Sequence, residues 1–100
     1  MPYRVEIAPG AAKEIEEIYL YIAQDSPGNA ARWYFAIHDK IQTLQESPNR
    51  CPMAFESRFY SYEIRNLIFG SYRVLFRVKE QEQTVQILYV THGARERIPL

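Results

Sequence analysis

Several residue types are scarce in this chain of 100 residues, and each shortage excludes a class of protein. Cys51 is the single cysteine, so a disulfide within the chain and a zinc site built from several cysteines are excluded. No apolar run approaches the roughly 20 residues that a membrane helix needs, and no signal-peptide pattern follows Met1. We therefore expect one cytoplasmic domain over residues 1–100.

Net charge is also lacking, because 12 basic and 12 acidic residues cancel. The chain as a whole therefore has no strong attraction for nucleic acid. The basic residues comprise nine arginines and three lysines, and arginine suits bidentate contacts to carboxylate or phosphate. Residues 57–79 hold four arginines and one lysine against one acidic residue. This stretch predicts a locally cationic surface.

Hydrophobic periodicity predicts six elements. One stretch near the start alternates apolar and polar residues, as a half-buried strand does. Two longer stretches carry apolar residues at helical spacing, and Ser26-Pro27 is a start signal for the second of them. Residues 51–61 have no clean period, which predicts a loop packed by its own methionine and phenylalanine side chains. The predicted strands are residues 3–7, 62–68, 72–79 and 84–91, and the predicted helices are residues 11–24 and 26–46.

The order β-α-α-β-β-β predicts an α+β domain, with an antiparallel sheet and a helix hairpin on one face. The hairpin should cover the face that carries Val74, Phe76 and Val78. The strand at residues 84–91 is almost wholly apolar, as expected of a central strand. The other face, with Arg73 and Arg77, is then left for solvent or a partner.

Short motifs accompany this order of elements. Gly70-Ser71-Tyr72-Arg73-Val74 opens one predicted strand, and His92-Gly93-Ala94-Arg95 closes the last. Further motifs are Ile15-x-x-Ile18-x-x-Tyr21-Ile22 in the first helix, Ser26-Pro27-x-x-Ala30, Leu44-x-x-x-Pro48 and Ile64-Arg65-x-Leu67. Together they resemble the RelE/ParE superfamily of toxins from bacterial type II toxin–antitoxin pairs, over nearly the whole chain. In the first helix the family often has Asp-Leu where this chain has Glu14-Ile15.

The resemblance implies one of two activities. ParE-like members, including plasmid-stabilisation toxins, are described as binding DNA gyrase and trapping it on DNA without catalysis of their own. RelE-like members cut mRNA in the decoding site of the ribosome. RelE carries two lysines at the positions of Glu63 and Arg65, and zero net charge suits ribosomal RNA poorly. The ParE-like reading is therefore preferred, with a cognate antitoxin as partner in a hetero-oligomer, and with no cofactor or metal.

The arginines are the candidates for contact with the target under this reading. They are Arg65, Arg73, Arg77, Arg95 and Arg97. Arg73 aligns with the arginine that follows Gly-x-Tyr in the family. The structural alternative is that Arg73 and Arg77 line a solvated or antitoxin-covered sheet face.

The nuclease reading requires a base for the 2′-hydroxyl, charge stabilisation at the phosphate and an acid for the leaving oxygen. Arg73 would stabilise the phosphate, and His92 would titrate near neutral pH. Glu63 or Glu56 would be the base. The structural alternative for His92 is that it caps a strand end. A third reading is a relic without toxicity that still binds its antitoxin.

Overall fold

The computed structural model of the chain describes residues 2–95, and its elements follow the predicted order β-α-α-β-β-β. The strands are β1 (Arg4–Ile7), β2 (Arg65–Phe69), β3 (Tyr72–Lys79) and β4 (Thr84–His92). The helices are α1 (Pro9–Asp25) and α2 (Pro27–Gln42), with short 3₁₀ turns at Thr43–Gln45, Pro48–Arg50 and Phe55–Phe59. The predicted α+β class is confirmed.

Both helices begin at a proline, which fits the first helical turn because that position needs no N–H partner. For this reason α1 starts two residues earlier than its apolar pattern predicts. The predicted N-cap of α2 is confirmed, since the Ser26 side-chain oxygen accepts the Asn29 N–H at 3.2 Å. The Thr43 hydroxyl donates to the Lys40 carbonyl at 2.6 Å, and the chain tightens there into a 3₁₀ turn rather than continuing as α-helix.

The four strands form one sheet in the order β1-β4-β3-β2. Strands β2, β3 and β4 are the predicted antiparallel meander. Strand β1 runs parallel to β4, with Val5 opposite Val85, so the sheet is mixed and the prediction of a wholly antiparallel sheet is corrected at this pair. Parallel strands need a long crossover between them, and the two helices provide the first part of that connection.

One face of the sheet, here called the helix face, carries Val74, Phe76 and Val78 and lies under the helix hairpin, as predicted. Val74 and Phe76 are fully buried. The helix residues that pack on this core include Ala11, Ile15, Ile37 and Ile41. Each buried aliphatic or aromatic side chain contributes about 1.5–3 kcal/mol to folding. Strand β4 lies at the centre of the sheet, also as predicted.

The opposite face, here called the outer face, carries Arg73, Leu75 and Arg77, and it is not left open. A cover segment, residues 54–62, lies over it, and Leu75 is fully buried against Ala54 and Ile64. The prediction that this face is free for solvent or a partner is therefore wrong at Leu75 and Arg73. A leucine between two arginines on the same strand is the apolar surface that the cover segment buries.

The cover segment itself departs from its prediction. The sequence predicts a loop packed by Met53, Phe55 and Phe59, but these side chains are 44–45% exposed. The residues that the segment buries are Ala54 and Glu56 instead. A register shift at Leu75/Phe76 gives β4 one extra residue there, and both Leu88 and Tyr89 pack on the outer cluster.

Candidate functional site

Arg73 lies on the outer face near the start of β3, where it forms a buried ion pair with Glu56. Its two terminal nitrogens donate to the two carboxylate oxygens of Glu56 at 3.1 and 2.6 Å. The Arg73 side chain is 12% exposed and that of Glu56 is 0% exposed. This two-pronged geometry is the one that the planar guanidinium of arginine favours. Glu56, a candidate base from the sequence, is therefore enclosed and committed to Arg73.

The end of β4 folds back towards the same arginine. A terminal nitrogen of Arg73 also donates to the backbone carbonyl of Arg95. The Gly93 N–H donates to the Ser71 carbonyl at 2.7 Å, and a Cβ at Gly93 would lie 3.1 Å from that oxygen. Glycine permits this close backbone approach without displacing the Ser71 carbonyl, which gives the His-Gly motif a structural reason. Residues 93–95, here called the C-terminal hook, are held beside the turn between β2 and β3.

Arg65 and Arg77 occupy the other end of the sheet. Arg65 donates to the Cys51 carbonyl at 2.7 Å and lies 3.7 Å from the exposed carboxylate of Glu63. The guanidinium of Arg77 stacks on the Tyr62 ring, 3.9 Å from its centroid. Both arginines line a small cavity of about 210 Å³. The sequence-predicted cations thus divide into two groups, with Arg73 and Arg95 in one, Arg65 and Arg77 in the other, and Arg97 outside the described residues.

The structure joins two of the candidate nuclease residues, Arg73 and Glu56, but it brings neither His92 nor Glu63 to that pair. Tyr72 pairs with His92 and Arg73 pairs with Thr91. Adjacent residues of a strand point to opposite faces. Tyr72 contacts Trp33 of α2, so His92 lies on the helix face and Arg73 on the outer face. Glu63 is five residues before Ile68, which pairs with Arg73, or roughly 15 Å of extended chain.

His92 is engaged locally, at the end of β4. Its ring lies 5.9 Å from that of Tyr72, centroid to centroid, and its Nδ1 accepts the Ala94 N–H at 3.4 Å. The His92 carbonyl accepts the Arg95 N–H at 2.9 Å. These contacts match the strand-end role that the sequence offered as the structural alternative for His92.

Tyr60 of the cover segment, which contacts Tyr89 of β4, is not poised to accept a proton. The hydroxyls of Tyr60 and Tyr89 lie 3.2 Å apart. Burial, and then the hydrogen bond with Tyr89, raises the pKa of Tyr60 far above its ordinary value. A phenol with so high a pKa stays protonated near neutral pH, so Tyr60 is a poor base. Burial likewise raises the pKa of the Cys51 thiol, which argues against a nucleophilic role.

An apolar groove between α1 and α2 was not predicted from the sequence. It has a volume of about 610 Å³ and is lined by residues of both helices, among them Ile15, Tyr19, Leu20, Tyr34 and Phe35. Leu20 is 54% exposed and Phe35 is 67% exposed. Both lie off the buried stripes of their helices, and that position is the signal in the sequence from which a second apolar surface could have been predicted.

Within residues 2–95 no cluster of three or more histidine, cysteine, aspartate or glutamate side chains is placed to hold a metal ion. No helix of this part of the chain is both long enough and apolar enough to cross a membrane.

A family model for the ParE toxin of the type II toxin–antitoxin system parDE matches residues 5–97. The chain belongs to the ParE toxin family. The RelE/ParE resemblance of the sequence motifs is thereby confirmed for this ParE-family toxin. Among curated proteins, no sequence matches significantly.

Solved structures of toxin–antitoxin proteins share its fold. A chain of the chromosomal ParDE system from P. aeruginosa is 22% identical with a TM-score of 0.72, over 90% of this chain and 95% of that one. A chain of the RelBE2 toxin–antitoxin complex from Mycobacterium tuberculosis is 24% identical with a TM-score of 0.62, over 92% and 99%. A free mutant of the E. coli toxin RelE is 19% identical with a TM-score of 0.62, over 94% and 86%. At these identities the likeness is one of fold.

Proposed function

We propose that this ParE-family toxin acts in the cytoplasm by inhibiting DNA gyrase without catalysis of its own, and that a cognate antitoxin neutralises it. The observation that carries the proposal is the separation of the candidate nuclease residues. Arg73 is enclosed with Glu56 on the outer face, while His92 lies on the helix face. General acid–base catalysis needs groups within hydrogen-bond reach of one substrate, and this arrangement does not favour it.

The groove between α1 and α2 supports the second half of the proposal. Exposed apolar side chains in contact with one another mark a binding surface on a soluble protein. The groove lies along two antiparallel helices and is rimmed by the polar residues Glu16 and His38. An amphipathic helix of the antitoxin would fit here, with apolar residues at helical spacing. The outer face is a poorer candidate, since the cover segment already occupies much of it.

The target is tested by expressing the toxin without its antitoxin and following both RNA and DNA. The gyrase proposal predicts double-strand DNA breaks in arrested cells, intact messages, and inhibition of supercoiling by purified gyrase. Messages cut in phase with codons, together with unimpaired supercoiling, would instead support the RelE-like nuclease. An absence of growth arrest would contradict toxicity itself.

The antitoxin surface is tested with matched single substitutions on the helix hairpin. Leu20→Ser and Phe35→Ser should each weaken binding of the antitoxin encoded beside the toxin by about tenfold or more, as substitutions at an interface centre do. Tyr21→Ser is the control, because Tyr21 is 71% exposed on α1 but does not line the groove. Equal weakening by all three would contradict the groove as the docking site. Circular dichroism of each variant verifies the fold.

A further inference from the structure

Three segments of the chain that are distant in sequence meet at the guanidinium of Arg73. Its own strand, β3, lies in the sheet. Glu56 comes from the cover segment, and the carbonyl of Arg95 comes from the C-terminal hook. The two bonds to Glu56 and the bond to Arg95 use nitrogens at the end of one planar group. The bonds therefore fix the orientation of that group relative to all three segments.

Burial of the ion pair is what makes this junction rigid. Glu56 is 0% exposed, so its carboxylate has no solvent to replace Arg73 as a hydrogen-bond donor. The arginine is thus held in one orientation, in which a terminal nitrogen also donates to the hook. A lysine in this place would have one nitrogen, which cannot span both carboxylate oxygens and a third acceptor with the same geometry.

The hook has a second anchor next to the first. The Gly93 N–H donates to the Ser71 carbonyl at 2.7 Å, two residues before Arg73. The hook also closes on itself, since the Arg95 N–H donates to the His92 carbonyl at 2.9 Å. One backbone bond and one side-chain bond therefore hold its two ends, while the Arg95 residue itself remains exposed.

We propose that Arg73 is a positioning residue, oriented by Glu56, that holds the C-terminal hook and so presents Arg95 for contact with the target. The consequence for the target rests on the proposed function, whereas the positioning itself concerns the toxin alone. Arg73 acts through the hook and is itself too enclosed to contact a macromolecule directly. The sequence predicts both Arg73 and Arg95 as contact residues, whereas in this arrangement Arg73 positions the hook and Arg95 alone contacts the target.

Nuclear magnetic resonance of the full-length toxin tests the positioning first in the unaltered protein. The backbone order parameters of residues 93–95 should approach those of β4, near the value of about 0.85 typical of rigid backbone. Values below about 0.6 for these residues would overturn the proposal, because they would mean that the hook is mobile despite its two anchors.

Amide hydrogen exchange of two conservative variants then tests the two-pronged contact of the Arg73 guanidinium with Glu56. Arg73→Lys keeps the positive charge but loses the planar guanidinium that makes the two-pronged contact. The Gly93 and Arg95 amides should then exchange about 10- to 100-fold faster, which is the range expected for loss of a charge-assisted hydrogen bond. The core amides of β4 should change much less. Arg77→Lys is the matched control, since Arg77 lies on the same strand and face but contacts Tyr62.

Two outcomes would overturn the positioning role: unchanged exchange at the hook in Arg73→Lys, or an equal rise across all strands. Should Arg73→Lys fail to fold, Glu56→Gln replaces it. This variant should show a smaller rise in the amide exchange rate, confined to the hook. The growth assay is read separately. Faster exchange at the hook with undiminished toxicity would support the positioning and contradict the contact of Arg95 with the target. Loss of toxicity in both Arg73→Lys and Arg95→Ala would support both.

Discussion

The two faces of the sheet are buried by different means. The helix face is covered by two regular helices, and its core is a continuous set of aliphatic and aromatic side chains. The outer face is covered by an irregular segment with one 3₁₀ turn, and its fully buried apolar residues are only Ile64 and Leu75 among the residues described there. Beside them lies the ion pair of Glu56 and Arg73.

This difference teaches that the two faces contribute different things to the fold. Burial of apolar area is not directional, so it stabilises the helix face strongly while tolerating small shifts of the helices. A buried ion pair adds little net stability, because desolvation offsets the attraction, but its geometry is directional. The outer face thus fixes the position of the cover segment and the hook more than it stabilises the domain.

The largest expected effect comes from the helix face. Phe76→Ala should lower the free energy of unfolding by about 4 kcal/mol, because a fully buried phenylalanine leaves a cavity among packed neighbours. Leu75→Ala, on the outer face of the same strand, should cost about 2–3 kcal/mol. Urea denaturation of both variants measures the two values. Equal or reversed losses would contradict the assignment of the main core to the helix face.

The next largest effect is at the buried ion pair. Glu56→Ala should lower the free energy of unfolding by about 3 kcal/mol, because it leaves the nearly buried Arg73 without a counter-charge. The control is Glu63→Ala, where the carboxylate is 72% exposed and 3.7 Å from Arg65. An exposed pair of this kind contributes about 0–1 kcal/mol. Thermal unfolding of both variants measures the two losses of stability. Similar losses for Glu56→Ala and Glu63→Ala would contradict a larger role for the buried pair.

The smallest effect concerns exposed hydrogen bonds to Glu80, in the turn that joins β3 to β4, from Tyr3 next to β1 and from Asn49 in the turn Pro48–Arg50. Hydrogen bonds from Asn49 and then Tyr3 lower the pKa of Glu80. A carboxyl with a lowered pKa in the folded state stabilises the fold above its unfolded pKa of 4.5. That stabilisation is lost as the pH falls from there through the folded pKa.

The pH dependence of thermal unfolding checks this point. Between pH 5 and about 3 the wild-type protein should lose slightly more stability than Glu80→Gln, which lacks the titrating group. Glu82→Gln, two residues away in the same turn, serves as the matched control and should follow the wild type. If Glu80→Gln and the wild type lose stability equally as the pH falls, the hydrogen bonds to Glu80 do not contribute to stability.

The features that the sequence predicts well are those that depend on residues close to one another along the chain. The strand at Tyr72–Lys79 and the N-cap at Ser26 follow from local alternation and from local backbone chemistry. The cover segment could not be predicted, since its buried residues, Ala54 and Glu56, have no periodic spacing. Glu56 is buried beside Arg73, 17 positions away, which supplies its counter-charge.

The sequence names residue types for a candidate site, but it does not predict which of them the fold brings together. Within residues 2–95, the arginines named from the sequence lie on the sheet or beside it, yet Arg73 and His92 are on opposite faces of the sheet. Alternation along a strand places neighbouring residues on opposite faces. The separation of Arg73 from His92 therefore follows once the pairing of β3 with β4 is known. The register in turn depends on the extra residue in β4.

The sequence by itself determined the order of the elements, the helix face of the core and the family, because periodicity and motifs are local properties of the chain. Only the tertiary structure decided that β1 runs parallel to β4, that the outer face is covered, and that Arg73 binds Glu56 and the hook. These features depend on contacts between distant segments. Their energies arise from burial and from opposite charges brought together, and neither is defined before the chain has folded.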